Sequence, residues 1–262
     1  LMVLTLTLLM GTMFTSCMDS GESGPQQWAG VVKVNDRMGY VTFTDAAGTE
    51  LIPTNTIPVT LNARMAYIYC QVDEGQDLST NPKSIKITLL ADPTGIDATA
   101  ITTPKVGESG DVTTNAPVGS LSFVSGYSTV APFQFSENTI VLPVLYRVKN
   151  VTTTEDIKNE LAKHTFTLVC YTDDIKSGDT ILKLYLRYKV EDEPAAIAER
   201  ATRTSSFKAY EISQILREYT LKSGQTKPAK ITIVAQQNEY NNKLEDTSTI
   251  EKVYEIEYKT AE

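Results

Sequence analysis

Residues 64–73 read RMAYIYCQVD. Ala66, Ile68, Cys70 and Val72 alternate with Tyr67, Tyr69 and Gln71, a period of two that belongs to a half-buried β-strand rather than a helix. The same alternation recurs on both sides. Ser84 to Leu90 (SIKITLL) sets Ile85, Ile87 and Leu89 against Lys86 and Thr88. Upstream, Gly30-Val31-Val32-Lys33-Val34 and Tyr40-Val41-Thr42-Phe43-Thr44 flank a turn at Asn35, Asp36 and Gly39. Asp45-Ala46-Ala47-Gly48 is a hairpin-like turn, and Glu50-Leu51-Ile52 returns. Pro53 and Pro58 bracket a loop, and Trp28, just before the first strand, is expected to seal a barrel end. Five short strands in about 65 residues suit a Greek-key barrel of the OB type over residues 28–95.

Residues 96–120 shift in composition. Thr, Gly and Pro punctuate them, and they read as a linker or loop. Strands return over 121–262. Thr139 to Val148 (TIVLPVLYRV) is long, and its Pro143 predicts an edge strand or a bulge. Thr165 to Tyr171 and Thr180 to Val190 are further strands, followed by Ser206 to Ile212, Ala229 to Gln236 and Ile250 to Tyr258. Three short helices interrupt them. One opens at Thr153 with Ile157 and Leu161 spaced i,i+4, and one covers Ala195 to Ala201 behind Pro194. The third runs from Ser213 to Leu221 and stops at Gly224. The expected class is all-β: a five-stranded OB-like barrel, then a β-sandwich with short helices.

The first residues read as an address. Leu1 to Ser16 (LMVLTLTLLMGTMFTS) is uncharged and too short to span a bilayer, so it fits the apolar core of a signal peptide. No basic residue precedes it, so the sequence is expected to begin inside the leader. Thr15-Ser16-Cys17 at its end resembles a bacterial lipobox, which implies cleavage before Cys17 and lipidation of that residue; an ordinary leader with an incidental cysteine is the alternative. Several acyl chains anchor stably where one is marginal. Residues 17–27 then form a tether of linker composition. Its Met18-Asp19-Ser20-Gly21-Glu22 resembles a surface-export signal of Bacteroidetes lipoproteins, and a plain flexible tether explains it equally well.

The chemistry is thin. Lys and Arg total 24 against 32 Asp and Glu, a net charge of −8, and nucleic-acid binding needs clustered Lys/Arg, so no nucleic-acid partner is expected. One histidine and three cysteines leave no His/Cys metal cluster, and no metal or cofactor is expected. His164 is the single imidazole. Its place after a predicted helix suits a cation at the helix C-terminus better than a catalytic base. The carboxylates of Asp73/Glu74, Asp173/Asp174 and Glu191/Asp192/Glu193 fall in turns and read as solvated, so no catalytic residue is assigned. The turn Asp73 to Asp77 lacks the EF-hand pattern. Asp179-Thr180-Ile181 resembles the O-glycosylation motif of Bacteroidetes envelope proteins. Cys70 and Cys170 are expected as separately buried thiols, since a bridge would have to join two domains. Tyr67 and Tyr69 should point away from the barrel core. They could stack on sugar, form an interface, or pack against the second domain.

The ordering resembles the NigD-like lipoproteins of Bacteroidetes. The resemblance rests on the lipobox, on Gly39-Tyr40-Val41-Thr42-Phe43-Thr44-Asp45 and Gly48 to Pro53 in the barrel, and on Leu182 to Tyr188 and Phe207 to Ser213 beyond it. It implies an OB domain followed by a β-sandwich and a role in bacteriocin immunity, and the one residue it carries over is Cys17. The expected function is that of a non-enzymatic envelope lipoprotein of the outer membrane, lipid-anchored and binding a protein or peptide such as a bacteriocin. The alternative is a carbohydrate-binding accessory lipoprotein.

Overall fold

The computed structural model describes residues 26–260 apart from 38–39, 56–60, 62, 77, 79–81, 109 and 126–127. The leader 1–16, Cys17 and the tether to residue 25 lie outside the described residues, as do Gly39, Pro58 and Asp77 of the expected turns. The chain divides into two compact units. One holds residues up to Ala98 with Val124–Val130; the other holds Thr99–Phe123 and Ala131–Glu262.

The first unit is built from β1 (Gln27–Arg37), β2 (Tyr40–Thr44), β3 (Glu50–Pro53), β4 (Met65–Val72), β5 (Ser84–Leu89) and β6 (Thr94–Ile96). Neighbours run β1-β2-β3-β5-β4, and β1 pairs again with β4, so five strands close into a barrel. β3 and β5 run parallel; the other pairs are antiparallel. β1 reaches both neighbours because it is long: Lys33–Arg37 pair with β2 and Gln27–Lys33 with β4. Gly30 sits inside it. A Cβ there would meet the Trp28 ring at 2.7 Å, so the missing side chain is what lets the indole lie on the strand. Trp28 is therefore part of β1, paired with Cys70, and not a residue ahead of the strand. Asp45 Oδ1 accepts the Ala47 and Thr49 N–H groups, and Gly48 takes the positive φ that the β2–β3 turn requires. The barrel is filled by Val32, Phe43, Leu51, Ala66, Ile68, Cys70, Ile85, Ile87 and Leu89 with Trp28. Each fully buried large side chain contributes about 1.5–3 kcal/mol.

The second unit is a sandwich of two four-stranded sheets. In chain order its elements are β7 (Ala98–Ala100), β10 (Phe133–Ser136), β11 (Thr139–Val148), α1 (Thr154–Ala162), β12 (His164–Val169), β13 (Ile181–Val190), α2 (Pro194–Ala198), β14 (Thr202–Glu211), α3 (Ser213–Ser223), β15 (Lys230–Gln237) and β16 (Ile250–Glu257). A small hairpin, β8 (Phe123–Ser125) with β9 (Ser128–Val130), precedes β10 in the chain, and all of it but Phe123 counts with the first unit. One sheet is ordered β10-β11-β14-β7 and the other β12-β13-β15-β16, with β13 and β15 parallel. Leu182, Leu184, Leu186, Tyr188 and Val190 line the inner face of β13 and join Ile140, Leu142, Val144, Leu168, Ile231 and Ile233 in one core.

Four expectations change here. Residues 96–120 are no free linker. Ile96 ends β6, residues 98–100 form β7, and Ile101, Ala116 and Val118 are core residues. The Asn115 amide imitates a strand by exchanging two bonds with the Val190 backbone, and Thr102 does the same with Leu168 and Cys170 through its own backbone. Pro143 lies in an interior strand with no bulge recorded beside it. β10 pairs only with Thr139–Val141, and the next partner on that edge is Ser120 at Leu145, so the missing N–H of Pro143 falls in the gap between them. Helix α2 ends at Ala198 and β14 begins at Thr202, because ten residues of β14 register against β11. Ile157 and Leu161 of α1 are both 42% exposed, while Glu160 between them is buried. Among the described residues no helix is long and apolar enough to cross a membrane.

Candidate functional site

The barrel wall carries the candidate residues that the alternation of β4 predicts. Tyr67 and Tyr69 do point outward: the burial pattern keeps Ala66, Ile68, Cys70 and Val72 inside, leaves Tyr67 half-buried and exposes Tyr69. Tyr69 stands opposite Ala29 on β1, its carbonyl accepts the Leu90 N–H, and its hydroxyl donates to Gln27 Oε1. Tyr69 (39% exposed) and Leu90 (40%) thus form a small amphipathic patch. Tyr67 stands opposite Val31 and Thr94, and burial raises its hydroxyl pKa, so it offers a neutral phenol. A rigid, half-covered tyrosine beside an exposed one gives contact area at little cost in side-chain entropy.

The nearby acidic turn is closed by its own bonds. Asp73 accepts from the Thr54 and Thr88 hydroxyls, and Gln76 ties the turn to Lys86. Among the described residues no group of three or more His, Cys, Asp and Glu side chains converges as metal ligands would. Cys70 and Cys170 are both free and buried, one in each core, and burial pushes both thiols up to about 12.

The second unit holds a polar cluster that pattern reading missed. Glu160 Oε1 accepts the Lys149 N–H (2.8 Å), Arg200 Nε (2.7 Å) and His164 Nε2 (3.3 Å). Arg200 also reaches Asp192 Oδ2 at 3.0 Å and the Ala196 carbonyl at 2.8 Å, and Lys149 and Lys163 each meet Asp192 at 3.2 Å. Burial works against the Glu160 charge, but those bonds overcome it and leave its pKa lowered. Asp192 is held low by Arg200 first, then Lys163 and Lys149. It is therefore not the solvated turn carboxylate expected from sequence.

His164 corrects a second expectation. It opens β12 instead of serving as a cation on the end of α1. Its Nδ1 lies 2.6 Å from the Tyr188 hydroxyl, and burial lowers its pKa despite Glu160. The neutral tautomer, Nε2–H toward Glu160 and Nδ1 accepting from Tyr188, satisfies both nitrogens. With both Arg200 and His164 side chains at 0–1% exposure, the cluster ties α1, β12, β13 and the end of α2 together. The i,i+4 spacing of Glu160 and His164 was a readable hint. Arg200, forty residues away from Glu160, gave none. Thr180, of the Asp179-Thr180-Ile181 stretch, is exposed at the start of β13.

Comparison with known proteins gives a compact answer. No family model and no curated protein matches the chain. Among solved structures, the chain is similar to the crystal structure of a "putative lipoprotein" from Bacteroides fragilis NCTC 9343, with 97% identity and a TM-score of 0.83 over 90% of this chain and 100% of that one. A protein of unknown function, DUF1344, from Bacteroides vulgatus ATCC 8482 shares 11% identity and a TM-score of 0.55 over 89% of this chain and 91% of that one, a likeness of fold alone.

Proposed function

The chain belongs to the same family as this "putative lipoprotein" from Bacteroides fragilis, and we propose that it is a non-enzymatic, lipid-anchored protein of the outer membrane that binds a protein or peptide partner. Cys17 is the anchor in this reading. Several acyl chains on one residue hold a domain at a membrane for as long as its function requires. The observation that carries the binding role is the outward tyrosine pair of β4, with Tyr69 and Leu90 exposed side by side on a closed and therefore rigid barrel. Tyrosine is among the residue types enriched at the energetic centres of protein interfaces. A net charge of −8 favours a basic partner. The NigD-like resemblance of the barrel and sandwich motifs narrows the partner to a bacteriocin and the role to immunity, in which the protein need only present a complementary surface.

Deleting the gene and challenging the strain with culture supernatants of its own and sibling strains tests this. New sensitivity, rescued by the wild-type gene but not by Cys17→Ala or by Tyr69→Ala, is the expected result. Unchanged sensitivity removes the immunity role. A carbohydrate-binding role is the second reading, favoured by the same tyrosines on an OB-type barrel wall, a surface that such folds use for oligosaccharides. Glycan binding lost in Tyr67→Ala and Tyr69→Ala would move the assignment there.

A further inference from the structure

A cleft of about 390 Å³ opens on the outer face of the β12-β13-β15-β16 sheet, wholly within the second unit. Its floor is Arg187 of β13 and Gln236 of β15, each one residue beyond the last registered parallel pair, Leu186 with Ala235. Its walls are the Asp111–Thr114 loop, Tyr171 and, from the β15–β16 loop, Leu244. The side chains are ordered in a chain of bonds. Arg187 Nη2 donates to the Tyr171 hydroxyl at 2.8 Å, which donates to Asp111 Oδ1 at 2.8 Å, and the Gly107 N–H donates to Asp111 Oδ2 at 3.0 Å. The guanidinium carbon also lies over the Tyr185 and Tyr171 rings, 5.1 and 5.7 Å from their centroids.

That order leaves hydrogen-bonding capacity over. Four buried side-chain polar atoms lack a partner among the described residues, and two of them, Arg187 Nε and Thr114 Oγ1, belong to this one cleft. Buried polar groups are almost always paired, so two orphans among the residues that line one opening mark a place where a polar partner belongs. Both residues are partly exposed overall. The Gln236 amide, also on the floor, can both donate and accept.

We propose that this cleft is a binding site for a sugar acid, whose carboxylate pairs with Arg187 and Thr114 and whose hydroxyls meet Asp111 and Gln236. A charged donor selects a charged acceptor, which supplies the carboxylate. Asp111 favours a sugar acid over an acidic peptide. Its oxygens keep acceptor capacity that sugar hydroxyls can fill, whereas a glutamate side chain brings no donor to them. Val112 and Leu244 supply apolar wall for a pyranose ring. The site lies in the second unit alone and does not depend on what the barrel face binds.

The test titrates the full unlipidated chain from Cys17 onward with digalacturonate, with the neutral digalactose, and with an N-acetylated di-glutamate peptide, followed by amide NMR and calorimetry. Digalacturonate is expected to shift the Thr113, Thr114 and Gln236 amides and to bind at least about tenfold more tightly than digalactose, the factor for about 1.4 kcal/mol. Arg187→Gln should lose about tenfold or more. Thr114→Val and Gln236→Ala, which leave the tyrosine–arginine stack intact, should each weaken binding should Arg187→Gln fail to fold. No shift at millimolar digalacturonate, shifts elsewhere, an unchanged affinity in natively folded variants, or tighter binding of the peptide would each overturn the proposal.

Discussion

Arg200 and Arg187 lie in the same unit, and each belongs to a constellation that includes a carboxylate and a tyrosine. They differ in what is left over. Arg200 is 2% exposed and reaches Glu160, Asp192 and the Ala196 carbonyl, while His164 and Tyr188 complete the cluster. Arg187 lies over two tyrosine rings and spends one donor on Tyr171, and its Nε remains unpaired in a side chain that lines a cleft. A saturated buried ion cluster locks backbone segments together, and removing one member leaves an uncompensated charge. An ordered but unsaturated one is preorganised for something that arrives later. Residue type does not separate the two arginines; the count of satisfied donors does.

The largest expected effect breaks or keeps that distinction. Arg200→Met should cost about 3–5 kcal/mol of stability because the buried Glu160 loses its arginine counter-charge. Arg187→Met should cost only about 1 kcal/mol, the worth of its stacking. Urea midpoints at unchanged slope measure both, and equal losses would erase the difference. Next comes Gly30→Ala in the barrel. Its Cβ collides with the Trp28 ring, which is itself packed, and the expected loss is about 1–3 kcal/mol by the same unfolding measurement.

The His164 contribution is smaller and has a sign. Burial sets its folded pKa below the unfolded value of 6.5, so between the two the unfolded chain binds more protons. Its contribution is complete above that value and is lost as pH falls below it, at no more than about 1.4 kcal/mol per pH unit. Glu160 and Asp192, also lowered, add their loss only further down, below the ordinary carboxylate range. Stability curves of the wild type and His164→Gln should therefore diverge in slope just below pH 6.5. Parallel curves would show that the histidine is not buried neutral. The smallest effect belongs to Ile157→Lys and Leu161→Lys, expected within about 0.5 kcal/mol because both side chains already face solvent.

Much of this architecture is written locally. Alternation placed β2, β4, β5, β11 and β13 within a residue or so of their observed ends, and Thr153 and Gly224 bound α1 and α3 as their capping chemistry requires. The outward direction of Tyr67 and Tyr69 follows from the same period of two. The failures share a cause. Ile157 and Leu161 have helical spacing, yet α1 turns Glu160 inward because Arg200 and His164 wait there. Thr202 to Ser205 carry no strand pattern and become strand by registering against β11. Residues 96–120 look like linker and are held by backbone and amide bonds to strands far along the chain.

The sequence alone therefore determined the strand periods, the helix caps and the face each tyrosine takes, because each depends on neighbours a few residues away. Only the tertiary structure decided that β3 pairs with β5, that Pro143 finds a gap, that Arg200 is saturated and that Arg187 is not. Those outcomes depend on which distant groups meet, and a donor's partner is chosen by packing rather than by sequence spacing.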